Sequence, residues 1–172
     1  MLREATEKDL GALRRWRNDP EVRKASFTTH EISESEHRRW WEAVRADSGR
    51  RVLVYEHAGV PVGAVLFKDH DPVRRSVYWG FYLDHTGLAQ SGALMAAWVG
   101  MERAAVKYAF DELSVELLTG EVLEWNRPVR WMHRRCGFTE TERRTIEIDG
   151  HGQEIIVIEQ RSSHEGRPSR AG

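Results

Sequence analysis

The stretch from Gly120 to Phe138, GEVLEWNRPVRWMHRRCGF, constrains the fold most, because it reads as a strand that runs into a short helix and stops at a Gly-Phe step. Asn126 takes the N-cap position, where its side-chain oxygen can accept a free helix-end N–H, and Pro128 falls in the first turn, where its missing donor costs little. Gly137 supplies the stop, since glycine adopts a left-handed conformation without steric cost. Glu121 lies late in the strand and His133 two turns into the helix, so one strand-to-helix unit brings an acid, an amide and an imidazole towards one spot.

The chain has 172 residues and 19.9 kDa, the size of one domain with a substantial core. Its 26 basic and 27 acidic side chains leave a net charge of -1, so no overall field exists to hold a polyanion and nucleic acid is a poor partner. The single cysteine, Cys136, excludes an internal disulfide framework and a cysteine-rich zinc site, which fits a reducing cytosol. The start, MLREATEKDL, is charged early and lacks the apolar run of a signal peptide. Gly92 to Met101, the longest apolar run, is about half of the ~20 residues that span a bilayer. The expectation is a cytoplasmic protein without a membrane partner.

LREAT reads as a short strand, and Thr6 with Asp9 as a capping pair ahead of a helix with Leu10, Leu13 and Trp16 at helical spacing. That helix should end near Asn18; residues 19 to 32 show no period and read as a loop. Ser33 and Glu36 have capping-box spacing before a helix carrying Trp40, Trp41 and Val44. Residues 51 to 56, 60 to 67 and 76 to 83 are β-rich, the first two split by a His-Ala-Gly hairpin signal. A long helix over 92 to 110, a strand over 115 to 123, a helix over 126 to 135 and a closing hairpin around Asp149-Gly150 follow. This order, β-α-α-β-β-β-α-β-α-β-β without repeat or linker, predicts a single α/β (α+β) domain over residues 1–161, with 162–172 as a disordered tail.

The order and the Asn126 to Phe138 block resemble the GNAT superfamily of N-acetyltransferases, from Leu2 to about Gln160. Residues 16 to 42, WRNDPEVRKASFTTHEISESEHRRWWE, resemble the N-terminal block of its amino-sugar branch, which acetylates UDP-linked 4-amino-4,6-dideoxy sugars such as UDP-4-amino-4,6-dideoxy-N-acetyl-altrosamine. The resemblance implies a mixed, mostly antiparallel sheet of about seven strands flanked by about four helices, splayed between strands 4 and 5. The splayed gap would take the pantetheine arm of acetyl-CoA against the backbone of Phe81, Tyr82 and Leu83. The following loop, HTGLAQSGALM, would cradle the pyrophosphate through Leu88, Ala89, Gln90, Ser91, Gly92 and Ala93, with Asn126 also touching the cofactor. Ala89 and Ser91 stand where the family has glycines. The spacing Asn126, Val129, His133, Gly137-Phe138 matches a family pattern in which a tyrosine protonates the departing thiolate; His133 takes its place, and an imidazole with a reference pKa of ~6.5 can donate near neutral pH.

Each candidate also has a purely structural reading. Glu121 is either a salt-bridged strand-end acid or the base that takes the proton of the attacking amine; apolar neighbours Trp79 and Val122 would favour its protonated form, and Glu124 competes for the role. His133 is either a surface residue among Arg130, Arg134 and Arg135, themselves candidate contacts to the adenosine phosphates, or the acid. Arg17, His30, Lys68 and Trp79 are either solvated or core residues or contacts to the acceptor, with Phe27 and Tyr82 as further aromatic surfaces. The eight histidines show no metal-binding spacing, and Cys136 lacks a triad. The expected activity is acetyl-CoA-dependent transfer to a primary amine of a nucleotide-linked amino sugar, in a ternary complex and without metal. Alternatives are a protein N-terminal or ribosomal-protein acetyltransferase, or an acyl-CoA-binding module without turnover. A homodimer through the closing strands is open to such a sheet edge.

Overall fold

The computed structural model describes residues 1–162. Its core is a seven-stranded sheet with the order β1-β2-β3-β4-β5-β7-β6, where β1 is Leu2–Glu4, β2 Arg51–His57, β3 Val60–Asp71, β4 Ser76–Leu83, β5 Leu117–Leu123, β6 Thr139–Ile148 and β7 His151–Arg161. All neighbours are antiparallel except β4 and β5. The β2–β3 and β6–β7 turns place Ala58-Gly59 and Asp149-Gly150 at positive φ, the geometry of the tight hairpin turns expected there.

Strand alternation divides the core. Leu53 and Tyr55 of β2 pack with Ala97, Met101, Ala105 and Ala109 of α5 (Leu94–Asp111) on one face. Val52 and Val54 face the other way, onto Leu13 and Trp16 of α1 (Leu10–Arg17) and Trp41 and Val44 of α3 (Glu34–Ala46). Thr6 and Asp9 form the expected reciprocal cap over a single 3-10 turn that runs into α1, and Ser33 Oγ accepts from Glu36 N at 3.2 Å to start α3.

Among the described residues six α-helices form rather than four. The two missed are α2 (Pro20–Lys24), inside the expected loop, and α4 (His85–Gln90), ahead of α5; both are too short to display a 3.6-residue period. Their caps were the available signal: Asp19 accepts from Glu21 N before Pro20, and Asp84 accepts from Gly87 N. α6 (Arg127–Arg135) is capped by Asn126, which accepts from Val129 N at 3.4 Å, and is followed by Gly137 at φ 99. Of the expected tail, Ser162 continues the fold by donating to Glu116 O, and the rest lies outside the described residues. Among the described residues no helix is long and apolar enough to cross a membrane.

Candidate active site

The parallel β4–β5 ladder holds only Ser76 to Leu117, Val77 to Leu118 and Tyr78 to Thr119. Beyond it, β4 stays paired to β3 as far as Leu83 and β5 to β7 as far as Leu123, so the two strands part. The Trp79 indole lies against Gly120 where they separate: a Cβ on Gly120 would sit 3.1 Å from Trp79 Nε1. The gap opens into a cavity of about 760 Å³ walled by β4, β5, the starts of α5 and α6, and the segment from Arg17 to Thr28. Asp84 N donates to Val62 O on β3 at 2.7 Å. Backbone alternation therefore turns the N–H and C=O of Leu83, and of Phe81, into the gap, and those of Tyr82 towards β3.

Glu121 lines this cavity, whereas Glu124 does not: it is held by Arg130 at 3.0 Å and by Arg143 at 3.5 Å. The Glu121 carboxylate accepts from Tyr78 Oη at 3.3 Å and pairs with Arg144 of β6, so it carries the ion pair that its structural reading allows while still lining the cavity. Burial pushes the Tyr78 hydroxyl up to about 12, which keeps it a proton-bearing donor. Neither Tyr78 nor Arg144 was singled out in the sequence, because each enters from a different strand.

His133 is buried, not a surface residue. Its ring stands in an aromatic cage of Trp79, Phe81 and Phe138, with centroids 5.4 to 6.0 Å away, and its Nδ1 lies 3.2 Å from the fully buried Glu102 of α5. The neighbouring arginines are committed elsewhere: Arg130 to Glu140 and Glu124, Arg134 to Glu140, and Arg135 over the Trp131 ring. Cys136 is packed, with its thiol pushed up to about 11 by burial and by the Glu102 carboxylate, as befits an inert residue.

On the acceptor side the outcome is divided. Arg17 and Lys68 line the cavity, as do Lys24, Arg50 and Arg51. Arg17 donates through Nη2 to Thr28 O at 3.1 Å, while its Nη1 is buried with no hydrogen-bond partner among the described residues. Burial pulls this guanidinium below its ordinary value, with Arg23 adding to the effect. Lys68 lies over the Tyr78 ring and Lys24 over the Trp125 ring. His30 is exposed, pairs with Glu36 at 2.9 Å and is not part of the cavity lining. Trp79 lines the cavity but only 2% of it is exposed, and it stacks on Phe81 and Phe138 as part of the cage of His133.

A family model described as an acetyltransferase (GNAT) domain matches residues 1–139. The chain belongs to the GNAT acetyltransferase family. Its fold is that of a spermidine N-acetyltransferase from Vibrio cholerae, solved with CoA and spermine, at a TM-score of 0.81 and 21% identity over 95% of each chain. A protein provisionally assigned as a phosphinothricin N-acetyltransferase is similar at 0.75 and 17% identity, over 94% of this chain and 97% of the other. No curated protein sequence matches the chain.

As a GNAT acetyltransferase the protein uses acetyl-CoA as co-substrate. The chain fits that group: Phe81 and Leu83 offer unpaired backbone edges in the gap, which a thioester arm can join as an extra strand does. The segment expected to be an open pyrophosphate loop is α4 and its end. The N–H groups of Leu88, Ser91, Gly92 and Ala93 are spent on Asp84 O, Gly87 O, Ala89 O and Leu88 O, and the Leu88 side chain is in the core. The N–H groups left over are those of the first turn of α5, at Leu94, Met95 and Ala96, and Leu94 reaches the cavity wall. Asn126 lines the cavity while capping α6. Among the described residues no cluster of side chains is arranged to hold a metal ion.

Proposed function

We propose that this acetyltransferase acts on a small primary amine that also carries an anionic group, with a nucleotide-linked amino sugar as the leading acceptor. The observation that carries this is the lining of the acceptor half: Arg17, Lys24, Arg50, Arg51 and Lys68 against Glu21 and an already paired Glu121. A desolvated guanidinium with an unused N–H, as at Arg17, is satisfied by a phosphate or carboxylate oxygen, which it can meet with two parallel hydrogen bonds. A polyamine, the ligand of the Vibrio cholerae neighbour, would meet like charge in the same place. Phe27 and Trp40 on the same wall supply apolar surface for a sugar or base.

In this reading the amine and the thioester are aligned in one complex, and alignment supplies much of the rate. The Leu83 N–H, turned into the gap, polarises the thioester oxygen. Glu121 accepts the amine proton directly or through water, with Tyr78 and Arg144 fixing its orientation. His133 gives a proton to the departing sulfur. The test is acetyl transfer over amino-sugar nucleotides, free aminoglycosides, polyamines and N-terminal peptides. Turnover of phosphate-bearing amines over polyamines is expected; preference for spermidine or for peptides overturns the reading.

A further inference from the structure

Glu102 is the one carboxylate on the buried, otherwise apolar face of α5, and it is fully enclosed. A carboxylate removed from water is tolerated when each oxygen is given a donor. Trp98 Nε1, one turn earlier on α5, donates to Oε1 at 2.9 Å, the Cys136 thiol also hydrogen-bonds the carboxylate, and His133 Nδ1 lies 3.2 Å from both Oε1 and Oε2. If the carboxylate accepts from His133 as it accepts from Trp98, the shared proton sits on Nδ1. Nε2 is then the free nitrogen of a ring that lines the cavity, and no hydrogen bond to it is made among the described residues. The Trp79, Phe81 and Phe138 cage restricts rotation of the imidazole.

We propose that Glu102 is a positioning residue for His133. It fixes the Nδ1–H tautomer, aims Nε2 at the thioester end of the gap, and stabilises the imidazolium that donates the proton. The inference rests on the donor role of His133 proposed above. As the amine nitrogen bonds to the acetyl carbon and the C–S bond breaks, the amine proton passes to Glu121 and the Nε2 proton to the thiolate; both groups are then reset by exchange with water. The titratable groups near the ring are Glu102 from α5, Glu121 across the cavity on β5, and Cys136 at the end of α6, on which Arg103 and Arg135 act in turn. The facing part of β4 gives only Trp79 and Phe81.

The experiment compares wild type with Glu102→Gln, Glu102→Asp and His133→Gln in ¹⁵N spectra of the imidazole and in the pH dependence of kcat at saturating acetyl-CoA. Wild type should show the Nδ1–H tautomer. Glu102→Gln should mix the tautomers, lower kcat about tenfold or more near neutral pH, and move the alkaline limb of the profile to lower pH, because the imidazolium loses its counter-charge. Acetyl-CoA affinity should hold, and Glu102→Asp should recover part of the rate. A Glu102→Gln enzyme that keeps the wild-type tautomer and limb while losing only stability overturns the inference. Were that variant not to fold, an Nε2–H tautomer in wild type, or a Glu102→Asp profile identical to wild type, would do the same. Normal turnover in His133→Gln sinks the donor role itself, whereas an inactive His133→Gln beside an unchanged Glu102→Gln removes only Glu102.

Discussion

Arg17 shows what a single side chain can report about a substrate. Its stem is fixed by α1, its Nη2 is engaged by Thr28 O, and its Nη1 is enclosed beside the cavity without a hydrogen-bond partner among the described residues. A hydrogen bond to a charged group contributes about 1.5–3 kcal/mol. Arg17→Met should therefore raise KM for a phosphate-bearing amine by about 10-fold to 100-fold with kcat little changed, the signature of lost uniform binding. An unchanged KM in steady-state assays would dissociate Arg17 from the acceptor. Glu121→Gln should act on the other parameter, lowering kcat by about 10²-fold or more while calorimetric acetyl-CoA binding is retained; near-normal turnover would leave Glu121 as an ion-pair partner of Arg144 and nothing more. His133 and Asn126 were legible in the sequence because cap, helix and glycine stop fix their spacing within one unit. Glu102 was not, since its meaning comes from a ring 31 residues away, and the separation is equally why Arg144 went unread beside Glu121.

At the scale of elements, the sheet and the long helices followed from periodicity, and the splay between β4 and β5 from the resemblance. What periodicity missed were α2 and α4, whose formation depends on caps and on contacts made in the folded state. Asp19 links the two. Its carboxylate accepts from Glu21 N at 2.9 Å as the α2 cap and from Thr86 Oγ1 of α4 at 2.6 Å, so it ties the roof of the acceptor half to the element that leads into α5. The roof is tied down elsewhere too, by Thr29 on Asp149 of the β6–β7 turn and by Lys24 over Trp125. Asp19→Ala should cost about 1 kcal/mol of unfolding free energy, as loss of an N-cap does, and raise the acceptor KM several-fold with acetyl-CoA affinity retained. If calorimetry instead shows weakened acetyl-CoA binding and an unaltered acceptor KM, α4 and not α2 is the element that Asp19 governs.

Across the whole molecule, buried acids and hydroxyls set the pH range of stability, and their signs differ. Asp9, hydrogen-bonded by Arg3, is lowered from 3.8 to about 2, so its contribution is complete above 3.8 and is lost as the pH falls through 2. Cys136 is raised by burial and by Glu102 from 9.0 to about 11, and Tyr78 by burial from 10.0 to about 12. Tyr82 is raised in the same direction by complete burial. A group whose folded value is raised favours its protonated form in the native state. Its contribution is full below the unfolded value and disappears as the pH climbs towards the folded one, because the unfolded chain gives up the proton first. Burial, with Arg14 beside it, holds the His37 imidazole below its ordinary 6.5, so its contribution is full above 6.5 and is lost as the pH falls below it. Urea midpoints should thus fall below 6.5, fall above 9.0 and fall further above 10.0. Cys136→Ser should abolish the loss that begins at 9.0 and leave the one that begins at 10.0; an alkaline profile identical to wild type would show that the thiol does not titrate in the unfolding transition. A limb of the pH–rate profile is therefore assigned to proton transfer at the site only where the urea midpoint, followed over the same interval, stays level; below 6.5 the buried His37 moves that midpoint, and the limb and the midpoint must be measured together.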